Sequence, residues 1–235
     1  MSSLGSVKLY GDARATSEHV QSGIPAVVQP TRGEPVIHDI FETKTSTWQY
    51  IVADPATLTA VIIDPVLDYD PTTQVIATHM ADALLALARE RGYKIDRILE
   101  THAHADHVTA ASYLQDRLAR ETGHRPLIGI GKGIVRVQEL FSRRYGVPDD
   151  EFRGVFDVLL RMTVRDHKQA NRHIKAGTTE DEFVTMRRER DAGLGEPRLL
   201  HQSLQMNIRA GKLPRPTDAR HQLLHIPLRV GEAKW

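Results

Sequence analysis

Between Thr101 and His107 the chain reads Thr-His-Ala-His-Ala-Asp-His, four potential metal ligands within six residues, separated by single alanines. An apolar run, Ile95–Leu99, comes directly before it and reads as a buried strand. The alanine-rich segment from Ala105 to Leu118 reads as the helix that follows. A strand-to-helix corner can aim its side chains at one point above a sheet edge, which is where α/β proteins place their sites. Imidazole and carboxylate together suit zinc or non-haem iron. The candidate metal ligands are therefore His102, His104, Asp106 and His107. The plainer alternative is a polar loop whose histidines face water, but such loops rarely combine this ligand density with small spacers.

Composition narrows the chemistry further. The 235 residues contain no cysteine, so disulfides and thiolate metal sites are excluded and ligands must come from His, Asp or Glu. A formal net charge of +1, without blocks of like charge, argues against nucleic acid as a partner. No apolar run approaches a membrane span, and no signal-peptide core follows Met1. Lys8, Arg14 and Arg32 balance Asp12, Glu18 and Glu34, a poor composition for a mitochondrial transit peptide. The expected location is the cytoplasm, with the mitochondrial matrix as the alternative.

Residues 1–34 are rich in Ser, Gly, Pro and Gln without periodicity and are expected to form a flexible arm, with one domain over 35–235. Three short strands are expected at Val36–Phe41, Thr47–Val52 and Thr59–Ile63, joined as a meander, with His38 structural. Asp70-Pro71 is read as opening a helix to about Arg91, with Ile76, Met80, Leu84 and Leu87 as its apolar stripe and Gly92 stopping it. His79 falls at the boundary of that stripe. After the metal motif come a helix end near Thr122-Gly123, a strand over Pro126–Ile130 and a helix over Val135–Tyr145. Gly129, Gly131 and Gly133 lack the remainder of a phosphate-loop pattern. Further on, Val164–Ile174 reads as helical, Thr179–Glu182 as a capping box before a helix to Ala192, and Pro197 as the start of a helix through Leu200, Leu204 and Ile208 closed by Gly211. The one strand signal after Leu160 is Leu223–Leu228.

His-x-His-x-Asp-His is the signature of the metallo-β-lactamase fold. The longer phrase Leu99–Ala110 resembles the persulfide dioxygenase branch, a cousin of glyoxalase II. So do Ile63-Asp64-Pro65-Val66, Ile128-Gly129-Ile130-Gly131 and His201-Gln202-Ser203-Leu204-Gln205-Met206-Asn207. The resemblance implies an α/β fold, a metallo-β-lactamase-like α/β/β/α sandwich. It also implies one Fe(II) held by two histidines and a carboxylate, with His102 supplying the first ligand and His104, Asp106 and His107 ligating or supporting it. In the family, the second histidine lies in a Thr-Pro-Gly-His turn and the carboxylate in a Gly-Asp pair of the second half. Neither occurs there in this chain: Gly123-His124 and Gly11-Asp12 are both misplaced. Gly154–Leu160 resembles the family before its second set of strands and Met162–Gln169 resembles it after them. An internal deletion near 160–162 is therefore expected, with the second sheet largely missing.

Three functional readings follow from the resemblance. The first is an Fe(II)-dependent sulfur dioxygenase turning glutathione persulfide and O2 into sulfite and glutathione. In the second, all four motif residues bind a two-zinc centre that hydrolyses thioesters or lactones, as in glyoxalase II. In the third, the chain is a non-catalytic truncated isoform that binds metal weakly or pairs with a full-length copy through its uncovered sheet, a homo-oligomer being the form such pairing would take. His167, His173, His201, His221 and His225 have no spacing that demands a ligand role.

Overall fold

The computed structural model describes residues 33–161, Arg165, Gln169 and 177–228. The expected arm up to residue 32, most of the expected helix over 164–174, and His167 and His173 lie outside the described residues.

Strands β1 (Val36–Glu42), β2 (Thr47–Ala53) and β3 (Thr59–Ile63) form the expected antiparallel meander. From β3 the chain passes through the hairpin β4 (Val66–Asp70) and β5 (Val75–Ala77) into α1 (His79–Glu90). It returns as β6 (Lys94–Glu100), parallel to β3. A two-residue strand, β7 (Val108–Thr109), then leads into α2 (Ala111–Thr122), and β8 (Leu127–Gly131) lies parallel to β6. Helices α3 (Ile134–Tyr145) and α4 (Asp149–Phe152) precede β9 (Val158–Leu160), parallel to β8. Parallel neighbours need crossover connections, and α1, α2 and α3 supply them. The described residues therefore hold a six-stranded sheet, β1-β2-β3-β6-β8-β9, and a three-stranded one, β5-β4-β7.

The two faces of the large sheet differ. The rung Ile51–Ile62–Ile98–Ile128 is wholly buried and packs in one core with Leu84, Leu85 and Leu114 of the helices. Burying each such side chain stabilises the fold by roughly 1.5–3 kcal/mol. The adjacent rung, Ile37–Val52–Val61–Arg97–Leu127, lies on the opposite face, with Ile37 58% and Leu127 39% exposed. Among the described residues no second sheet of comparable width accompanies it, in line with an α/β sandwich whose second sheet is largely missing.

Three expectations need correction. No helix starts at Asp70-Pro71: the Asp70 carboxylate accepts the Thr72 amide and closes the β4–β5 turn, and α1 begins at His79. An Asp-Pro pair suits a turn as well as a helix start. The helix expected from Ala105 begins only at Ala111, because residues 105–110 form the metal-motif turn and β7. Leu223–Leu228 is no strand; it lies along the surface, with Leu223, Ile226 and Leu228 exposed. Gly92 does stop α1, at φ 69°. His38 is structural, its Nε2 2.8 Å from the Tyr93 hydroxyl.

The C-terminal part carries α5 (Glu180–Ala192) and α6 (Leu200–Asn207). Helix α5 has the expected capping box, Glu182 N–H to Thr179 Oγ1 and Thr179 N–H to Glu182 Oε2. Helix α6 packs against β7 and α3, inside the protein. None of the described helices is long and apolar enough to cross a membrane.

Candidate metal centre

Strand β6 ends at Glu100, and the next residues bend sharply before β7. The bend places the motif at the end of the parallel sheet, and its three imidazoles stand in a row. Ring centroids of His102 and His104 are 4.1 Å apart, as are those of His104 and His107. The order runs from outside to inside: His102 is exposed, while His104 and His107 are buried.

Donor atoms of His104, Asp106 and His107 lie within 4.8 Å of one another. The Asp106 carboxylate is 3.5 Å from His107 Nδ1 and 3.9 Å from His104 Nδ1. The His107 interaction pulls the Asp106 pKa down to about 2, so this half-exposed carboxylate is ionised at neutral pH. His107 Nδ1 also lies 3.3 Å from Thr47 Oγ1, at the start of β2. His107 Nε2 is fully buried without a hydrogen-bond partner among the described residues. An unpaired buried ring nitrogen is costly unless something accepts its lone pair or proton.

His104 is held from behind. Its Nε2 lies 2.9 Å from Asp64 Oδ1 and 3.4 Å from Glu100 Oε2. Asp64 is ionised: burial alone would raise its pKa, but hydrogen bonds from His104 and from the Thr101 amide and hydroxyl lower it below the usual range. A carboxylate only accepts, so His104 Nε2 carries a proton towards Asp64, and Nδ1, on the side of Asp106, is the nitrogen that would ligate a metal on giving up its own proton. Burial would depress the His104 pKa, but the Asp64 and Glu100 carboxylates overcome it and raise the pKa to about 9. Glu100 is itself pushed upward by burial, while its other oxygen accepts the Thr109 hydroxyl.

His102 stands apart from the cluster of converging donors. Its Nδ1 is 2.9 Å from the Thr101 hydroxyl, and its pKa is lowered by partial desolvation of the ring's inner side and by the His104 charge. Other histidines are engaged elsewhere or exposed. His201 Nδ1 pairs with the Tyr145 hydroxyl at 2.8 Å, and His79, His124, His221 and His225 are exposed.

Several residues that complete the site carry no signal in the local sequence. Asp64 reads as part of a turn and Glu100 as the end of a strand, yet both hold His104. Thr47 reaches His107 across 60 positions. Asn207 enters from α6, about 100 positions away, and hydrogen-bonds the turn itself. Only Asp64, Glu100 and Asn207 fall within stretches of family resemblance.

The residues fit a divalent transition metal. The donor set is imidazole and carboxylate, one buried ring nitrogen lacks a partner, and a carboxylate orients the neighbouring ring, the usual support for a ligating histidine.

Comparison with known proteins agrees. Residues 43–200 match the Metallo-beta-lactamase superfamily. A probable metallo-hydrolase of Burkholderia pseudomallei (strain 1710b) is 26% identical over 295 residues, taking in 82% of this chain and 98% of the relative. Glyoxylase B2 of Dictyostelium discoideum is 26% identical over 281 residues, 80% of this chain and 94% of the relative. Both alignments are longer than the 235-residue chain, so each relative contains a long stretch without a counterpart here. The mitochondrial persulfide dioxygenase of Mus musculus is 34% identical over 113 residues, 45% of this chain and 40% of the relative. The crystal structure of ETHE1 from Myxococcus xanthus superposes with a TM-score of 0.43 at 18% identity, covering 75% of this chain and 100% of that one. With the motif at the end of the parallel sheet and the match spanning most of the described body, the chain belongs to the metallo-beta-lactamase superfamily.

Proposed function

We propose that this chain binds a divalent transition metal at His104, Asp106 and His107, with His102 as the outer ligand, and that its parent chemistry is persulfide oxidation. The carrying observations are the convergence of three donor groups and a buried His107 Nε2 that has no partner among the described residues. Iron(II) is the metal of the leading reading, and zinc the alternative. When bound, iron supplies adjacent positions at which O2 and a substrate sulfur meet. Overall, one O2 takes the four electrons lost by the outer sulfur of glutathione persulfide, water supplies the third oxygen, and sulfite and glutathione leave.

The chain's own residues do the remaining work. Asp64 and Glu100 keep the proton of His104 on Nε2, and Asp106 supplies negative charge at the turn. With no cysteine in the chain, all reacting sulfur comes from the substrate. Similarity to the persulfide dioxygenases supports this choice of substrate. The similarity to glyoxylase B2 over 80% of the chain supports thioester hydrolysis as the second reading.

The chain holds the turn side of such a site. The Thr-Pro-Gly-His and Gly-Asp ligands of the resemblance are absent from its second half, and the relatives' additional stretch is the natural place for them. We therefore assign metal binding to this chain and turnover to the fold with an internal stretch restored near Leu160. The test is O2 uptake with glutathione persulfide after anaerobic Fe(II) loading, on both forms. Uptake by the restored form alone is the expected result. Zinc-dependent thioester hydrolysis without O2 uptake would move the protein to the hydrolase reading.

A further inference from the structure

Asn207 is the last residue of α6, buried, and belongs to none of the ligand groups. Its Nδ2 donates to the carbonyl oxygens of His104 and His107, both at 2.8 Å, and its Oδ1 accepts the Thr109 amide at 2.9 Å. Three bonds from one side chain thus grip the ligand turn at its middle, at its end and at the strand after it. The amide orientation is fixed by chemistry: reversed, its oxygen would face two carbonyls and its nitrogen would face an N–H.

We propose that Asn207 is a positioning residue for the metal, presetting the His104–His107 turn so that Nδ1 of His104 and the His107 ring face one point before any metal arrives. Between His104 and His107 the turn makes no ladder hydrogen bonds of its own, and its carbonyls at both ends terminate on Asn207. The grip is backed on the α6 side. Met206 and Ile208 are buried on either side of Asn207, and the following Ala210 carbonyl accepts both the amide and the hydroxyl of Ser112 at the start of α2. Gln138 of α3 donates to the Ile208 carbonyl at 2.8 Å. Thus a segment about 100 positions beyond the motif serves as the rigid support on which ligand geometry depends. Partners that orient ligands from behind typically change metal affinity by about 10- to 100-fold.

This inference rests on the metal-binding reading, and the experiment separates the two. Co(II) is titrated anaerobically into the full 235-residue chain and into Asn207→Asp, following the visible absorption bands. Asp keeps the size and still accepts from Thr109, but sets an oxygen against the two carbonyls. The expected result is an affinity loss of about 10- to 100-fold with altered Co(II) bands, while far-UV CD of the metal-free protein stays unchanged. If Asn207→Asp does not fold, Asn207→Ala removes the same donors without repulsion and is read the same way. A lower melting temperature with unchanged Co(II) affinity and bands would make Asn207 merely structural and overturn the inference alone. A wild-type chain that takes up no Co(II) overturns the metal reading and the inference with it.

Discussion

Helices α5 and α6 lie close together in sequence and differ in almost every other respect. Helix α5 has 13 residues, a capping box, three acidic residues in its first turn and no buried residue. Helix α6 has eight residues and no side-chain cap, yet Ser203 through Asn207 are all buried. Local signals account for α5: the cap satisfies end amides and the acidic turn complements the helix dipole. They do not account for α6, which is too short to be stable on its own and exists because β7 and α3 enclose it. A strong local helix signal is thus no guide to importance here. The weak helix reaches the site.

The contrast can be broken most forcefully by cavity formation. Leu204→Ala removes a buried side chain from the cluster of Tyr145, Val147, Phe152 and Ile208 and is expected to cost roughly 2–5 kcal/mol. Val184→Ala on α5 is expected to cost under about 1 kcal/mol. Thermal or urea melts of the two variants provide the comparison, and equal costs would end it.

Next comes Gly211, which follows α6 at φ 81°. A Cβ there would run into the Thr109 carbonyl oxygen, backbone of the strand that leaves the metal turn. Gly211→Ala combines left-handed strain with a backbone clash and is expected to lose about 2–3 kcal/mol in the same melts. An unchanged melt would mean that α6 does not press on β7.

Thr179→Ala should remove about 1 kcal/mol from α5. Because α5 buries nothing, the loss is expected as faster amide exchange over Glu180–Val184, with the global melting temperature unmoved. A matching global drop would show α5 to be part of the core.

The smallest effect is acid fraying of the same cap. The Thr179 amide and hydroxyl hold Glu182 below its ordinary 4.5, so the cap's contribution is present above that value and is lost as pH falls through the lowered folded pKa. Chemical shifts of α5 amides should move in that window while those of α6, which has no side-chain cap, stay fixed. Earlier movement in α6 would reverse the comparison.

What could be read from the sequence follows the same division. The heptapeptide, the strand before it and the glycine stops after α1 and α2 are local patterns, and all stand where residue spacing put them. The sequence places the α2 start too early because Ala105 runs on into the alanines at 110 and 111, while Asn207, Pro65 and pairing with β4 draw residues 105–110 into a turn and β7. The β4–β5 hairpin is hidden in the sequence because Asp70-Pro71 serves turns and helix starts alike. His104 shows the limit most clearly: its type is plain in the motif, but its Nε2 proton is fixed by Asp64, 40 positions earlier. Its backbone is held by Asn207, 103 positions later. Pairings at such separations leave no periodic trace.

Metal content tests the His104–Asp106–His107 site most directly. The purified chain, His107→Ala and Asp106→Ala should be loaded with Fe(II) or Zn(II), desalted and measured by atomic emission, with circular dichroism confirming that all three fold. Metal retained by the wild type and lost at least about tenfold in both variants is the expected outcome. Equal metal in all three, or none in any, would contradict it, and would leave the buried His107 Nε2 as an unpaired group of the core rather than a ligand.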